Sequence, residues 1–175
     1  MWRRIRNFFI MFILILVSFL LQFSVFILIP EINCAPNLML ILTFAFAFTR
    51  DKNAGMLVGF FSGLFVDVFY CQVIGYNALI LLLIGLICGA LKKLFYSNTF
   101  LSQIIILMIF DLLNALVYYF VWFILHSRFA FWHSLVHVII PEFIFTLLMG
   151  IILFKPLTLL IKRMYLHYDL EADNI

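Results

Sequence analysis

Three carboxylic acids interrupt stretches that are otherwise apolar, and they are the side chains best suited to chemistry. They are Asp67, Asp111 and Glu142. A charged group in hydrocarbon is costly and needs a partner or a role. Acid–base catalysis would require two of them, such as Asp67 and Asp111, within hydrogen-bond reach, and helix register does not show whether they meet. The chain has no activated-nucleophile motif, no HExxH motif and no glycine-rich phosphate loop, so we expect no enzyme.

A stripe of glycines leads to the first of these acids. Gly55, Gly59, Gly63 and Asp67 are four residues apart. On a helix they drift only about 40° per step and therefore share one face. Such a face lets another helix backbone approach closely. The pattern predicts a tight helix contact with an acid at its end.

The glycine face and the acid each have two interpretations. A second pair, Gly85 and Gly89, favours packing of two spans of this chain on each other, and the alternative is an outside transmembrane helix. Asp67 either accepts hydrogen bonds from Asn37, from Asn77 or from the free amides at the start of the next span, or it belongs to a docking or ligand site.

A polar stripe marks the fifth apolar stretch. Gln103, Asp111, Asn114 and Tyr118 fall within about 80° of arc on a helix, so we expect this face to point into the bundle. Together with Glu142 they form the predicted buried polar stripe. A ladder of hydrogen bonds between helices is one role for it, and a translocation or ligand surface is the other.

The histidines and cysteines do not predict a metal site. His133 and His137 have the i, i+4 spacing of metal ligands, but Glu142 lies about 180° from the first and about 140° from the second around a helix. One helix therefore offers two ligands. Three scattered cysteines are not a disulfide framework, so we expect Cys34 and Cys71 to stay unpaired, and a disulfide between them is the alternative. We predict no metal, no cofactor and no nucleic-acid partner.

Composition sets the class of the protein that must position these residues. Of 175 residues, 67% are hydrophobic and 11% are charged, and the mean hydropathy is +1.24. These values are far from those of soluble domains. The length suffices for about six spans of roughly 20 residues each. We predict an integral membrane protein with one all-α domain over residues 1–168 and a short cytoplasmic tail over residues 169–175.

Six apolar stretches are predicted to be transmembrane helices. The second and third are short, so we expect them to form a hairpin packed inside the bundle. The first is too long for a signal peptide and is predicted to stay as an anchor. The predicted ranges are 5–29, 36–49, 53–70, 77–91, 99–125 and 134–161.

The basic residues predict the orientation. Ten of the eleven fall on one side of the six spans: Arg3, Arg4, Arg6, Arg50, Lys52, Lys92, Lys93, Lys155, Lys162 and Arg163. By the positive-inside rule both termini are cytoplasmic. The residues predicted to converge in one outward-facing pocket or seam are Pro36, Asn37, Asp67, Gly75 and Asn77, at the outer ends of their helices.

Three short segments carry a family resemblance. They are residues 36–40 (Pro-Asn-Leu-Met-Leu), residues 59–67 (Gly-Phe-Phe-Ser-Gly-Leu-Phe-Val-Asp) and residues 75–79 (Gly-Tyr-Asn-Ala-Leu). Together they resemble the rod shape-determining protein MreD family, and Asn37 stands where that family has an acid. The resemblance implies a non-enzymatic scaffold of bacterial cell elongation in the cytoplasmic membrane. It further implies that the chain binds MreC and links MreB filaments to RodA and its penicillin-binding transpeptidase during peptidoglycan synthesis.

The resemblance also indicates an alternative to the scaffold function, namely a substrate-binding component of a transporter. The family is similar in architecture to the S-components of energy-coupling-factor vitamin transporters, which bind a small substrate in an outward pocket. Tyr70, Tyr76 and Trp132 are candidates to line such a pocket. For a scaffold we expect instead that the short hairpin, with Asp67 at its outer end, is a rigid seat for the transmembrane or near-membrane segment of MreC.

Overall fold

The computed structural model describes residues 2–28, 35–70, 74–94, 100–126 and 139–172, and almost all of them are helical. Three of the helices are long and apolar enough to cross a membrane, over Lys52–Tyr70, Leu101–Val121 and Ile140–Arg163. Three further apolar helical stretches are shorter. The six helices of the described residues are α1 (Trp2–Leu28), α2 (Leu38–Thr49), α3 (Lys52–Tyr70), α4 (Tyr76–Leu94), α5 (Phe100–His126) and α6 (Ile140–Ala172).

The short helix α2 is the centre of the bundle. Every residue from Leu38 to Phe48 is buried, with exposed fractions between 0% and 7%. A helix that is apolar on all sides can only be stable when it is surrounded. Helices α1, α3, α4 and α6 pack around it. The prediction that the second span is buried among its neighbours is confirmed, and the helix itself begins at Leu38 rather than at Pro36.

Other helices satisfy the free amides at the start of α2. The side chain of Asn37 caps the helix by accepting a hydrogen bond from the Leu40 amide at 3.1 Å. The Met39 amide donates to Gln22 Oε1 of α1 at 3.2 Å, and the Asn37 amide donates to Thr146 Oγ1 of α6 at 3.0 Å. A helix of 12 residues is about 18 Å long, shorter than the ~30 Å hydrocarbon core. Its ends therefore need protein partners in place of water.

The other end of α2 is closed by a lysine. Lys92, just past the apolar part of α4, donates from Nζ to the carbonyl oxygens of Thr49 at 3.0 Å and Arg50 at 2.8 Å. A cation favours the negative end of a helix dipole. The next helix starts at once, because Asp51 Oδ1 accepts a hydrogen bond from the Ala54 amide and caps α3. The hairpin of α2 and α3 is thus fixed at this end.

An aromatic ladder holds α1 against α3. The ring centroids of Phe12 and Phe65 are 5.5 Å apart, and those of Phe23 and Tyr70 are 3.6 Å apart with planes inclined by only 2°. Phe19 joins the ladder between them. The last helix, α6, continues through Ala172 and so passes the predicted start of the polar tail at residue 169. A helix that leaves an apolar layer can continue in water when its residues are helix formers.

Candidate functional site: the capped hairpin of α3 and α4

The glycine stripe of α3 is filled by α4. A Cβ atom added at Gly55 would come within 2.5 Å of Ala47 Cβ and 2.9 Å of the Gly85 carbonyl oxygen. One added at Gly59 would overlap the Leu81 backbone, and one at Gly63 would overlap the backbone where α4 begins. Backbone cannot move aside as a flexible side chain can, so only glycine allows this approach.

The same contact is built reciprocally from α4. Cβ atoms at Gly85 and Gly89 would overlap the backbone at Gly55 and Lys52 of α3. Packing of the third and fourth spans on each other within the chain is therefore confirmed. The face on which the alternative placed an outside helix is occupied, so a partner would have to bind elsewhere on the hairpin.

Asp67 closes the end of this hairpin at which α3 leads into α4. Its side chain is fully buried. One carboxylate oxygen, Oδ1, accepts hydrogen bonds from the amide and the side-chain nitrogen of Asn77, both at 3.0 Å. The other, Oδ2, accepts from the amides of Gly75 at 3.0 Å and Ala78 at 2.9 Å. The local interpretation, with Asn77 and the free amides of the next helix as donors, is confirmed.

Asp67 therefore caps a helix to which it does not belong. The first amides of α4 lack intrahelical partners, and the helix dipole favours an anion there. The turn before α4 includes Gly75, whose φ of 98° is a left-handed conformation that suits glycine. The four donors occupy both carboxylate oxygens, so in this arrangement Asp67 positions backbone and does not act as a general base.

The predicted outer seam divides into two groups. Asp67, Gly75 and Asn77 are joined directly at the hairpin. Asn37, which follows the buried Pro36, instead caps α2 and bonds to Thr146 of α6. The described hydrogen bonds do not link Asn37 to Asp67.

The second group contains the other two acids. Asp111 of α5 is 4% exposed and lies within electrostatic range of Thr146 and Glu142 of α6. Thr146 also donates to the Glu142 carbonyl oxygen at 2.8 Å. The Thr146 hydroxyl thus connects α6 to the residue that caps α2. Asp67 and Asp111 belong to different groups, so the pair considered for an intramembrane enzyme is not assembled in the described residues.

The predicted polar stripe of α5 is only partly buried. Gln103 and Asn114 are half-buried, whereas Tyr118 is 51% exposed. The prediction that Tyr118 is buried is wrong, because α5 packs mainly on α6 and the side of α5 that carries Tyr118 is left exposed. The Tyr118 ring contacts that of Tyr76, with centroids 6.2 Å apart.

Three contacts that organise the site were missed from the sequence. They involve Gln22, Lys92 and Thr146. The sequence signals were weak. Thr146 lies four residues after the half-buried Glu142, and Lys92 ends an apolar run, but threonine and lysine are common at such positions. Only the buried, capped ends of α2 give these residues their roles.

Some predictions fall on residues that the structure does not describe. Cys34, Cys71, Trp132, His133 and His137 lie outside the described ranges. Within those ranges, no group of three or more His, Cys, Asp or Glu residues lies close enough to hold a metal ion. The third cysteine, Cys88, is free and buried inside α4.

The fold and these contacts define an α-helical membrane protein, built around a buried central helix and stiffened by a capped glycine hairpin. A family model described as rod shape-determining protein MreD matches residues 2–164, so the chain belongs to the MreD family. No curated protein and no solved structure matched the chain.

Family membership shows the general process in which the chain takes part. The MreD family is a bacterial membrane component of the cell-elongation complex with a role in rod shape determination, and it is not known as an enzyme. The match covers nearly the whole chain, including the hairpin and both acid groups.

Proposed function

We propose that this protein is a non-enzymatic scaffold of the elongation machinery that binds MreC and, through it, links MreB to RodA and its penicillin-binding transpeptidase. The observation that carries the proposal is the family match over residues 2–164. A scaffold must hold its shape while partners bind. The α3–α4 hairpin meets this need, because glycine packing holds the two helices in close contact and Asp67 caps the end at which they join.

We further propose that all six helices cross or enter the cytoplasmic membrane and that both termini are cytoplasmic. Three helices are long enough to span by themselves, and α2 is short but surrounded. Basic residues gather at one end of the bundle, where Lys92 meets Arg50, while the Asp67 cap lies at the other end of α3. The positive-inside rule supports placing the Lys92 end in the cytoplasm.

The sequence predicted a seat for MreC on the hairpin of the second and third spans, and we now propose that the seat lies at the outer end of the α3–α4 hairpin. With the glycine face filled, the surface left there is apolar and exposed beside the Asp67 cap. Ile74, in the turn before α4, is 73% exposed. A near-membrane segment of a partner whose main body lies outside would meet this surface first. The exposed residues of the seat are Val68, Phe69, Tyr70, Ile74 and Leu79.

The S-component alternative has less support from the described residues. Of the aromatic residues considered for a pocket, Tyr70 stacks on Phe23 of α1, whereas Tyr76 contacts Tyr118 of α5. The two rings therefore lie against different helices. Central packing is also dense, because α2 is buried along its whole length. A substrate-binding component is expected to keep an enclosed outward cavity instead.

The test is affinity isolation of a C-terminally tagged copy from native membranes in mild detergent. We expect MreC and RodA in the eluate, and less MreC with Ile74→Ser at an unchanged protein level. Leu101→Ser is the matched control, because Leu101 is exposed on α5 far from the seat. Equal MreC recovery with both variants would refute the seat. Recovery of a coupling subunit with paired ATPases, and no MreC, would replace the scaffold by the transporter component.

A further inference from the structure

Helix α6 has an exposed face whose residues follow the spacing of a helix–helix contact. Ile144, Leu148 and Ile151 are exposed and are four and three residues apart, and the exposed Lys155 follows four residues later. These side chains therefore lie in one line along the helix. The other side of α6 faces the bundle, where the buried Phe154 contacts α2. A line with this spacing suits a second helix that crosses at about 20°.

Lys155 lies within the apolar part of this face and not at its end. The ring of Phe154, the residue before it, has its centroid 5.6 Å from that of Phe44, the seventh of the twelve residues of α2. Helix α2 continues for five residues beyond Phe44 to Thr49, which is about 8 Å. Lys155 also lies inside Ile140–Arg163, the stretch that is long and apolar enough to cross a membrane. A cation on a lipid-facing surface at this depth is costly unless another group pairs with it.

The described acids do not supply this partner. Within the described ranges the Lys155 side chain makes no hydrogen bond and no ion pair, and only its carbonyl oxygen accepts, from the Thr158 hydroxyl. On the same helix, Glu142 is thirteen residues earlier, about 20 Å along the axis, and Asp169 is fourteen residues later, about 21 Å. The other described acids hold backbone amides or lie beside Thr146, and they are Asp51, Asp67 and Asp111. A partner for Lys155 is therefore expected from another molecule.

The exposed face of α5 shows how α6 differs from a surface that only lipid covers. Leu101, Ile109 and Leu116 are exposed there, and no exposed residue of α5 from position 101 to position 120 is charged. On α6, a proline follows the lysine. Pro156 has no N–H group, so the carbonyl oxygen of the exposed Ile152 loses the donor that a regular helix gives it. A cation and a backbone acceptor thus lie close together on a face that is otherwise apolar.

We propose that this face of α6 binds a transmembrane helix of a partner protein that carries an aspartate or a glutamate at the depth of Lys155. The carboxylate complements the ammonium, and the apolar side chains of the partner pack on Ile144, Leu148 and Ile151. Such a pair fixes the register of two helices that apolar contact alone would leave free to slide. A lipid phosphate is bound to the membrane boundary, whereas a carboxylate on a helix can lie at any depth. The surface differs from the seat proposed for MreC, which lies on the α3–α4 hairpin.

The experiment measures the binding of model transmembrane helices to the full-length chain in phosphatidylcholine vesicles, by energy transfer between terminal labels. The probes are leucine–alanine peptides with one glutamate, glutamine or lysine at the depth of Lys155. We expect the glutamate peptide to bind about tenfold more tightly than the glutamine peptide. Lys155→Leu should remove this preference, and Lys155→Glu should transfer it to the lysine peptide. Lys155 is exposed, so the melting temperature should not change. Arg6→Leu is the control, because Arg6 is an exposed cation on α1, which packs on α2 and α3.

Three outcomes would overturn the proposal. Equal dissociation constants of the glutamate and glutamine peptides would show that the face does not select an acid. Loss of the preference with Arg6→Leu would show general charge attraction instead of a site on α6. Loss of the preference when phosphatidylglycerol is added to the vesicles would show that Lys155 pairs with lipid headgroups. No MreC is present in this assay, so its failure would leave the scaffold proposal standing.

Discussion

Replacing Asp67 with asparagine is expected to destabilise this protein even though the two side chains have the same shape. Both carboxylate oxygens of Asp67 accept two hydrogen bonds each. An asparagine has one oxygen, so it could keep either the pair from Asn77 or the pair from Gly75 and Ala78. Its NH₂ group would then point at the other two N–H donors, which cannot accept from it.

The size of the effect follows from this count. A hydrogen bond to a charged group contributes about 1.5–3 kcal/mol, and a buried donor left without an acceptor costs about 1–3 kcal/mol. Losing two of the four bonds should therefore cost Asp67→Asn about 3 kcal/mol. Asp67→Ala loses all four and the cap of α4, so we expect about 5 kcal/mol. At 2–4 °C per kcal/mol, the asparagine variant should melt about 6–12 °C lower.

The assay is thermal unfolding in detergent, together with hydrogen exchange at the amides of Gly75, Asn77 and Ala78. Asp51→Asn is the matched control, since Asp51 is exposed, accepts a hydrogen bond from the Ala54 amide and asparagine caps helices equally well. We expect no change in its melting temperature. If Asp67→Asn melted like the control but failed to recover MreC, the carboxylate would have a binding role and the structural account would be wrong.

Three further predictions test the packing, the second acid group and the orientation. Gly59→Leu should separate α3 from α4 and prevent stable folding, because its Cβ would overlap the Leu81 backbone. Gly150→Ala should be tolerated, since its Cβ would meet only the Leu107 side chain at 3.1 Å. Protein level and gel filtration distinguish the two variants, and a folded Gly59→Leu protein would contradict the packing of α3 on α4. Thr146→Val should lower the free energy of unfolding by about 2 kcal/mol, because the Asn37 amide loses its acceptor. The control is Thr158→Val, because the half-buried Thr158 hydroxyl bonds to the Lys155 carbonyl oxygen of its own helix, and we expect it to melt like the wild type. Equal melting of both variants would mean that the Thr146 hydroxyl is dispensable. Ile74→Cys should react with a membrane-impermeant maleimide on intact spheroplasts, whereas Lys52→Cys should react only after lysis. The reverse result would mean that the protein has the opposite orientation in the membrane.

The residue pattern of one helix determines which of its faces can make a close contact, whereas the partner in that contact depends on a second helix. The four-residue spacing of Gly55, Gly59 and Gly63 was sufficient to predict a close helix contact. The spacing could not name the occupant, because a small-residue face accepts any helix that reaches it. The structure selects α4, whose own Gly85 matches the Gly55 backbone.

Composition and local pattern thus determined the membrane class, the six apolar helical stretches of the described residues, the glycine face of α3 and the need of the buried acids for partners. Tertiary structure alone decided which partners those are. Asn37 finds Thr146 across 109 residues of chain, Asp67 caps α4, and Tyr118 is exposed although its helical face predicted burial. The physical reason is that periodicity fixes the direction of a side chain relative to its own helix axis, whereas contact also depends on where the neighbouring axes lie and where they end.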